Sequence, residues 1–275
     1  MPTLPSEPNP RPARQSHQLR QAAESFGVDA ARYDRARPRY PNELIAAVLA
    51  ASPGREMLDV GCGTGIEARQ FRDAGFAVLG VEPDARMAAF ARQTGIEVEV
   101  AKFEDWDPAG RNFDAVVAGQ SWHWVDPVAG VANAARVLRP GGSLTLFWHV
   151  FEAPREVNER FAEVYRRVAP GSPLQVPSGR SALELYQAGM DKVAETLRAT
   201  GGFGRPERWR FDWEQHYTRE QWLDLLPTTG GLTWLAEDKL AELLAEVGAA
   251  IDRIGGGFTM ASTTVAISAP YKGNP

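Results

Sequence analysis

Apolar segments alternate with amphipathic segments along the middle of the chain, which is the pattern of strands followed by helices. Near-continuous aliphatic runs indicate strands that are buried on both faces, as in a parallel sheet. In the segment that begins at Pro127, the apolar residues Val128, Val131 and Ala135 share one helical face. This alternation predicts a doubly wound α/β fold. The predicted strands of this part are Met57–Val60, Ala77–Val81, Glu97–Ala101, Phe113–Ala118 and Ser143–Trp148.

The alternation changes after His149. The next fifty or so residues have helical patterns broken by proline and glycine, and they are too long for a simple connection. Two further strands are predicted, at Glu207–Tyr217 and Phe258–Ser268, with helices between them. We therefore divide the chain into a disordered Pro-rich tail (1–20), a Rossmann-like core with an N-terminal helical lid (21–150), a helical insertion or cap (151–205) and the end of the sheet with its helices (206–275).

Three alternating glycines follow the first predicted strand, in Asp59-Val60-Gly61-Cys62-Gly63-Thr64-Gly65. A strand, a glycine turn and a helix bring the backbone against a nucleotide ligand. The dinucleotide pattern G-x-G-x-x-G is not met, because the third glycine comes one residue early and Ile66 stands where a small residue is needed. The carboxylate of Asp59 would repel a phosphate and attract an α-amino group or a sulfonium.

This segment resembles motif I of the class I S-adenosylmethionine (AdoMet) dependent methyltransferases. Trp122-His123-Trp124-Val125-Asp126 and the leading Tyr33…Arg37-Pro38-Arg39-Tyr40-Pro41 resemble a small-molecule branch that includes trans-aconitate-type enzymes. The resemblance implies a seven-stranded sheet with an antiparallel final strand. It also implies AdoMet as cofactor, S-adenosylhomocysteine as product and a small molecule as methyl acceptor.

The resemblance assigns candidate cofactor residues to the ends of successive strands. Glu82, about twenty residues past the glycines, is expected at the ribose hydroxyls. Phe103 and Glu104 are expected beside the adenine, although Lys102 stands where many relatives have aspartate. The predicted cofactor-binding residues are Tyr33, Arg37, Asp59, Gly61, Gly63, Gly65, Glu82, Pro83, Phe103, Glu104, Gln120 and Ser121.

Aromatic residues crowd the predicted strand ends and suggest a hydrophobic acceptor site. The predicted substrate-binding residues are Trp122, Trp124, Trp148 and His149. His123 is the first candidate for a catalytic base and His149 is the second, because the unperturbed pKa of histidine lies near neutrality. A carboxylate acceptor would need no base, whereas a phenol would benefit from one. We therefore predict O-methylation of a small acid or phenol, and we expect no metal.

Composition narrows the alternatives. The net charge of −5 and the lack of a long basic block disfavour nucleic acid as substrate. No apolar run approaches the ~18 residues of a membrane span. The single cysteine, Cys62, suits a cytoplasmic protein. A homodimer is a possible assembly. A tRNA or protein methyltransferase of the same fold and a non-catalytic AdoMet-binding protein stay open. A nicotinamide oxidoreductase is disfavoured because no Tyr-x-x-x-Lys pair is present.

Overall fold

The structure is a computed structural model that describes residues 26–170, 182–230, 232–233 and 235–273. Its strands are β1 (Glu56–Val60), β2 (Ala77–Val81), β3 (Glu97–Glu99), β4 (Phe113–Gly119), β5 (Leu138–Glu152), β6 (Glu207–Thr218) and β7 (Gly257–Pro270). They form one seven-stranded sheet in the order β3-β2-β1-β4-β5-β7-β6. Strand β7 runs antiparallel to both of its neighbours, β5 and β6, and the other neighbouring strands pair in parallel. The predicted doubly wound α/β sheet with an antiparallel final strand is confirmed.

Helices cover both faces of this sheet. They are α1 (Ala30–Ala36), α2 (Asn42–Ala51), α3 (Ile66–Asp73), α4 (Ala85–Gln93), α5 (Pro127–Val137), α6 (Arg155–Val168), α7 (Ala182–Thr200), α8 (Arg219–Leu225) and α9 (Glu237–Arg253). Short 3₁₀ helices lie at Phe26–Asp29, Phe103–Asp105, Trp122–Trp124 and Leu226–Thr228. Helices α6 and α7 follow β5, where a helical insertion is predicted. The predicted tail, 1–20, lies outside the described residues.

Alternating side chains of the central strands fill two hydrophobic layers. Leu58 and Val116 belong to one buried cluster, and Met57 and Val117 belong to the cluster on the other face. Strand β4 is buried along its whole length, as expected of a central parallel strand. Because helices cover both faces of the sheet, ligands have access mainly at the edge formed by the carboxyl ends of the strands.

Strand β5 differs most in length from the prediction. Strand β5 extends to Glu152 because it pairs with β7 over ten successive residues, from Ser143 opposite Pro270 to Glu152 opposite Ala261. This pairing involves residues that are far apart in sequence, so local pattern does not reveal it. Strand β3 ends at Glu99, two residues earlier than predicted. No helix in the described ranges is long and apolar enough to span a membrane.

Candidate active site

A cleft opens where the carboxyl ends of β1 and β4 meet. Its volume is about 410 Å³ including the part open to solvent. The lining comes from the leading segment, the glycine loop and the ends of β4 and β5. The lining residues are Tyr33, Arg37, Pro38, Tyr40, Gly61, Cys62, Gly63, Thr64, Ile66, Glu67, Gly119, Gln120 and His149.

The glycine loop takes a backbone path that side chains would obstruct. Gly61, Gly63 and Gly65 all have left-handed φ angles, of +67°, +56° and +81°. A Cβ atom on Gly61 would lie 2.6 Å from the Cβ of Ser121. Ser121 itself is buried, and its hydroxyl donates a hydrogen bond to the carbonyl of Val60 at 2.5 Å. The structure thus brings two predicted residues, Gly61 and Ser121, into direct packing contact.

Three buried carboxyl groups surround the loop. Asp59 is fully buried, and neither of its oxygens has a hydrogen-bond partner in the described part of the chain. Burial, and then the nearby charges of Glu67 and Glu82, raise the pKa of Asp59 well above its usual value. Burial also raises the pKa of Glu67 to about 8 and that of Glu82 to about 7. A cationic ligand would favour the ionised form of all three groups.

Glu82 is held by the backbone. Its carboxylate accepts hydrogen bonds from the amides of Gly63 and Asp84, each at 2.9 Å. Glu82 lies next to the glycine loop without lining the cleft itself. Its role at the ribose therefore stays a prediction.

The leading segment contributes the cation of the cleft. The Arg37 guanidinium lies 4.8 Å from the centroid of the Tyr33 ring and donates a hydrogen bond to the carbonyl of Thr228. The Nε atom of Arg37 is buried and has no partner among the described residues. The predicted pair Tyr33 and Arg37 is thus placed at the cleft, with one guanidinium donor unsatisfied.

Known proteins resemble this chain in sequence and in fold. Residues 58–146 match the family model described as a methyltransferase domain. An uncharacterised methyltransferase of Mycobacterium tuberculosis (strain H37Rv) is 30% identical over 207 residues, which cover 74% of this chain and 75% of that protein. The chain belongs to the class I AdoMet-dependent methyltransferases.

Two further relatives are more distant. A malonyl-[acyl-carrier protein] O-methyltransferase of Hahella chejuensis is 29% identical over 213 residues, covering 66% of this methyltransferase and 72% of the relative. The solved structure of a candidate type II methyltransferase from Anaeromyxobacter dehalogenans has a TM-score of 0.61 and 25% identity. That comparison covers 87% of this chain and 99% of the other.

The cleft of this methyltransferase fits the cofactor that the family uses. Arg37 in the cleft lining has one buried donor that lacks a partner among the described residues, and Asp59, near the lining residue Glu67, has two buried carboxylate oxygens that lack one. AdoMet carries an ammonium, a sulfonium and a carboxylate, so these orphaned groups are complementary to its charges. Gly61 and Gly63 leave the space that a close backbone approach requires.

Three predicted aromatic residues lie in the hydrophobic core. Phe103, Trp122 and Trp148 are all buried in the cluster between the sheet and the helices on one face. The ring centroids of Phe103 and Trp122 are 6.3 Å apart, and Trp148 packs against Tyr186 at 6.2 Å. This packing favours a structural role, and their predicted contacts with adenine and acceptor stay predictions.

His123 and Trp124 are not among the residues that line the cleft. His123 is exposed yet crowded by neighbouring protein atoms, and this partial desolvation lowers the pKa of its imidazole. Its ring contacts that of Trp124 at 4.7 Å, and Trp124 in turn meets Phe26 at 6.3 Å. The structure does not bring His123 to the residues that line the cleft. Its assignment as a base stays a prediction.

Three more predicted cofactor residues have defined positions. Glu104 accepts a hydrogen bond from the amide of Asp126 at 2.7 Å, which ties the loop after β3 to the start of α5. Pro83 is exposed before α4. Gln120 lines the cleft with a φ angle of 56°, a conformation that is strained for a residue with a Cβ. Such strain is common at binding sites, and it agrees with the predicted position of Gln120.

Glu67 and Tyr40 are among the cleft residues that the sequence prediction missed, and both place a polar group there. A Cβ atom on Gly119 would lie 2.6 Å from Oε1 of Glu67 and 2.7 Å from the hydroxyl of Tyr40, so both groups converge there. Glu67 comes two residues after Gly65, where an acid is usually explained by the helix dipole. Tyr40 belongs to the N-terminal segment Arg37-Pro38-Arg39-Tyr40-Pro41, and the family resemblance of this segment could have indicated that Tyr40 lies at the site.

Proposed function

We propose that this methyltransferase transfers the methyl group of AdoMet to an oxygen atom of a small apolar acid or phenol. The observation that supports the proposal is two buried groups without a partner among the described residues: the Nε of Arg37, which lines the cleft, and the carboxyl group of Asp59, which lies near the lining residue Glu67. Bound AdoMet supplies a methyl group already activated by its sulfonium. The protein then mainly has to orient the reactants and exclude water.

Each charged residue of the cleft has a distinct task in this proposal. Arg37 binds the methionyl carboxylate through a charge-assisted hydrogen bond. Asp59 and Glu67 stabilise the positive charges of the cofactor. Glu82 accepts hydrogen bonds from the ribose hydroxyls, since one carboxylate can accept from two hydroxyls at once.

A second cavity supports an apolar acceptor. It measures about 560 Å³ including the part open to solvent, and Tyr33 lines both this cavity and the cleft. Most of its other lining is apolar, from Phe26, Val28, Pro227, Leu232, Leu235 and Leu240. An acceptor held there would meet the cofactor at Tyr33. The relationship to a malonyl-[acyl-carrier protein] O-methyltransferase supports oxygen, and a carboxylate oxygen in particular, as the acceptor atom.

A labelled-methyl assay against a panel of small acids, phenols and amines tests the proposal. We expect label in an apolar acid or phenol, with the product identified by mass spectrometry. Calorimetric binding of S-adenosylhomocysteine without any methylated product would favour a non-catalytic binding protein. Label found only in tRNA or protein would favour the macromolecular alternative. A cytoplasmic location and a homodimer stay predictions.

A further inference from the structure

His149 occupies a buried position at the end of β5. It is 4% exposed, and its ring stacks on Tyr40 with centroids 4.3 Å apart and an interplanar angle of 20°. Its ring also makes a T-shaped contact with the ring of Trp213, with centroids 5.2 Å apart. Because His149 also lines the cleft, its unused ring nitrogen can affect what binds there.

Two neighbours determine which nitrogen of His149 carries the proton. The Nε1–H of Trp213 donates to the hydroxyl of Thr264 at 2.9 Å, and this hydroxyl lies 2.9 Å from Nδ1 of His149. An indole nitrogen can only donate, and a hydroxyl has a single proton to give. The hydroxyl therefore accepts from Trp213 and donates to Nδ1 of His149.

The opposite tautomer is disfavoured by burial. If Nδ1 carried the proton, the Thr264 hydroxyl would accept twice and its own proton would need another acceptor. Thr264 is fully buried, and the structure gives its hydroxyl no other partner within the described ranges. The Nε2 atom would then also be a buried acceptor without a partner among the described residues, so two polar groups would be unsatisfied. With the proton on Nε2, only the Nε2–H group is unsatisfied. Because each unsatisfied buried group costs about 1–3 kcal/mol, the proton of His149 is on Nε2.

The Nε2–H group and the Nε–H group of Arg37 are both unsatisfied. Each atom is buried without a partner in the part of the chain that the structure describes, and both residues line the same cleft. Burial, and then the positive charge of Arg37, lower the pKa of His149 to about 3, so the ring is neutral at physiological pH. One cleft thus holds two donors, only one of which is charged.

We propose that His149 is a neutral hydrogen-bond donor, oriented by Thr264 and Trp213, and that its Nε2–H and the Nε–H of Arg37 together bind a carboxylate in the cleft. The carboxylate comes either from the amino-acid end of the cofactor or from an acidic acceptor. The identity of this ligand rests on the proposed function, whereas the tautomer does not. His149 is then a binding residue and cannot act as a general base from Nε2.

Nuclear magnetic resonance of the cofactor-free protein tests the tautomer. His149 is one of four histidines, so its imidazole signals can be assigned by single substitutions. We expect a protonated Nε2 and an unprotonated Nδ1, unchanged between pH 5 and pH 8. The variant Thr264→Val should let the Nδ1–H tautomer appear. A wild-type Nδ1–H signal, or titration near pH 6.5, would overturn the proposal.

Binding measurements with the folded protein test the carboxylate. His149→Phe keeps an aromatic ring against Tyr40 and removes the donor. It should weaken S-adenosylhomocysteine about tenfold but leave 5′-methylthioadenosine unchanged, because the latter lacks the carboxylate. Alternatively, His149→Phe should leave the affinities for both nucleosides unchanged. It should then raise KM about tenfold for acid acceptors but not for the corresponding amides. The first result identifies the cofactor carboxylate and the second identifies that of the acceptor.

Equal weakening of both nucleosides, or no change in any of these constants, would contradict carboxylate binding. The matched control is His216→Phe, on the exposed edge strand β6, which should alter none of the constants. If His149→Phe does not fold, Thr264→Val replaces it in the binding measurements. This variant retains the imidazole but admits the Nδ1–H tautomer, which removes the Nε2–H donor. If wild-type protein binds no S-adenosylhomocysteine, the proposed function fails, while the resonance experiment still decides the tautomer.

Discussion

Replacing Glu67 by glutamine should stabilise the cofactor-free protein and weaken cofactor binding at the same time. Burial is the main reason that the pKa of Glu67 rises from its ordinary 4.5 to about 8. Between these two pH values the unfolded chain ionises Glu67 while the folded chain retains the proton. Stability conferred by this group is therefore lost as the pH rises from about 4.5 to about 8.

The size of the effect follows from the same numbers. At about 1.4 kcal/mol per pKa unit, the penalty at pH 8 has an upper bound of roughly 5 kcal/mol. Asp59 and Glu82 share the unfavourable burial, so a single substitution recovers only part of it. We expect Glu67→Gln to raise the free energy of unfolding by about 1–3 kcal/mol at pH 8 and to change it little at pH 5.

Denaturant unfolding of the cofactor-free protein at both pH values measures this change. The matched control is Glu99→Gln, because Glu99 forms an ion pair with Arg111 that lowers its pKa. This control should give no gain in stability at pH 8. AdoMet affinity of Glu67→Gln should fall about tenfold, since one negative charge near the cofactor is lost. A variant that is destabilised equally at both pH values, or that binds AdoMet as well as wild type, would refute the reasoning.

Three further substitutions test other parts of the site. Arg37→Met should weaken S-adenosylhomocysteine by about 10- to 100-fold in calorimetry yet leave 5′-methylthioadenosine nearly unchanged, and equal losses would contradict the carboxylate role. Gly61→Ala should destabilise the protein by about 1–3 kcal/mol because of its left-handed φ and its clash with Ser121, whereas the control Gly189→Ala, in open space inside α7, should stabilise it by about 1 kcal/mol. If both glycine variants melt alike, the backbone argument is wrong. If His123 is the base, His123→Ala should lower kcat for phenols about 100-fold or more and leave that for carboxylic acids intact, so unchanged turnover of phenols would end its candidacy.

Local signals in the sequence predicted the glycine loop and its surroundings well. The run from Asp59 to Gly65 combines a strand, a turn and a helix start within one segment, so its conformation follows from neighbouring residues. Pro38 and Pro41 lie between α1 and α2, where proline disfavours a continuous helix.

Features that depend on tertiary packing were harder to predict. Trp122 follows a predicted strand and Trp148 ends another. Whether such a side chain lies in the core or in a cavity depends on the strand register and on the packing of α5 and α7. Glu67 resembles an ordinary acid at a helix start until the fold surrounds it. The tautomer of His149 depends on Thr264, which is 115 residues away along the chain.

Parallel calorimetric titrations with S-adenosylhomocysteine and with a nicotinamide dinucleotide test the central claim most directly. We propose that the cleft at Gly61 and Gly63 receives a sulfur nucleoside through Arg37 and Glu67 in its lining, together with Asp59 near Glu67. We expect binding of one S-adenosylhomocysteine per chain and no heat from the dinucleotide. Saturable binding of the dinucleotide, with none of S-adenosylhomocysteine, would contradict it.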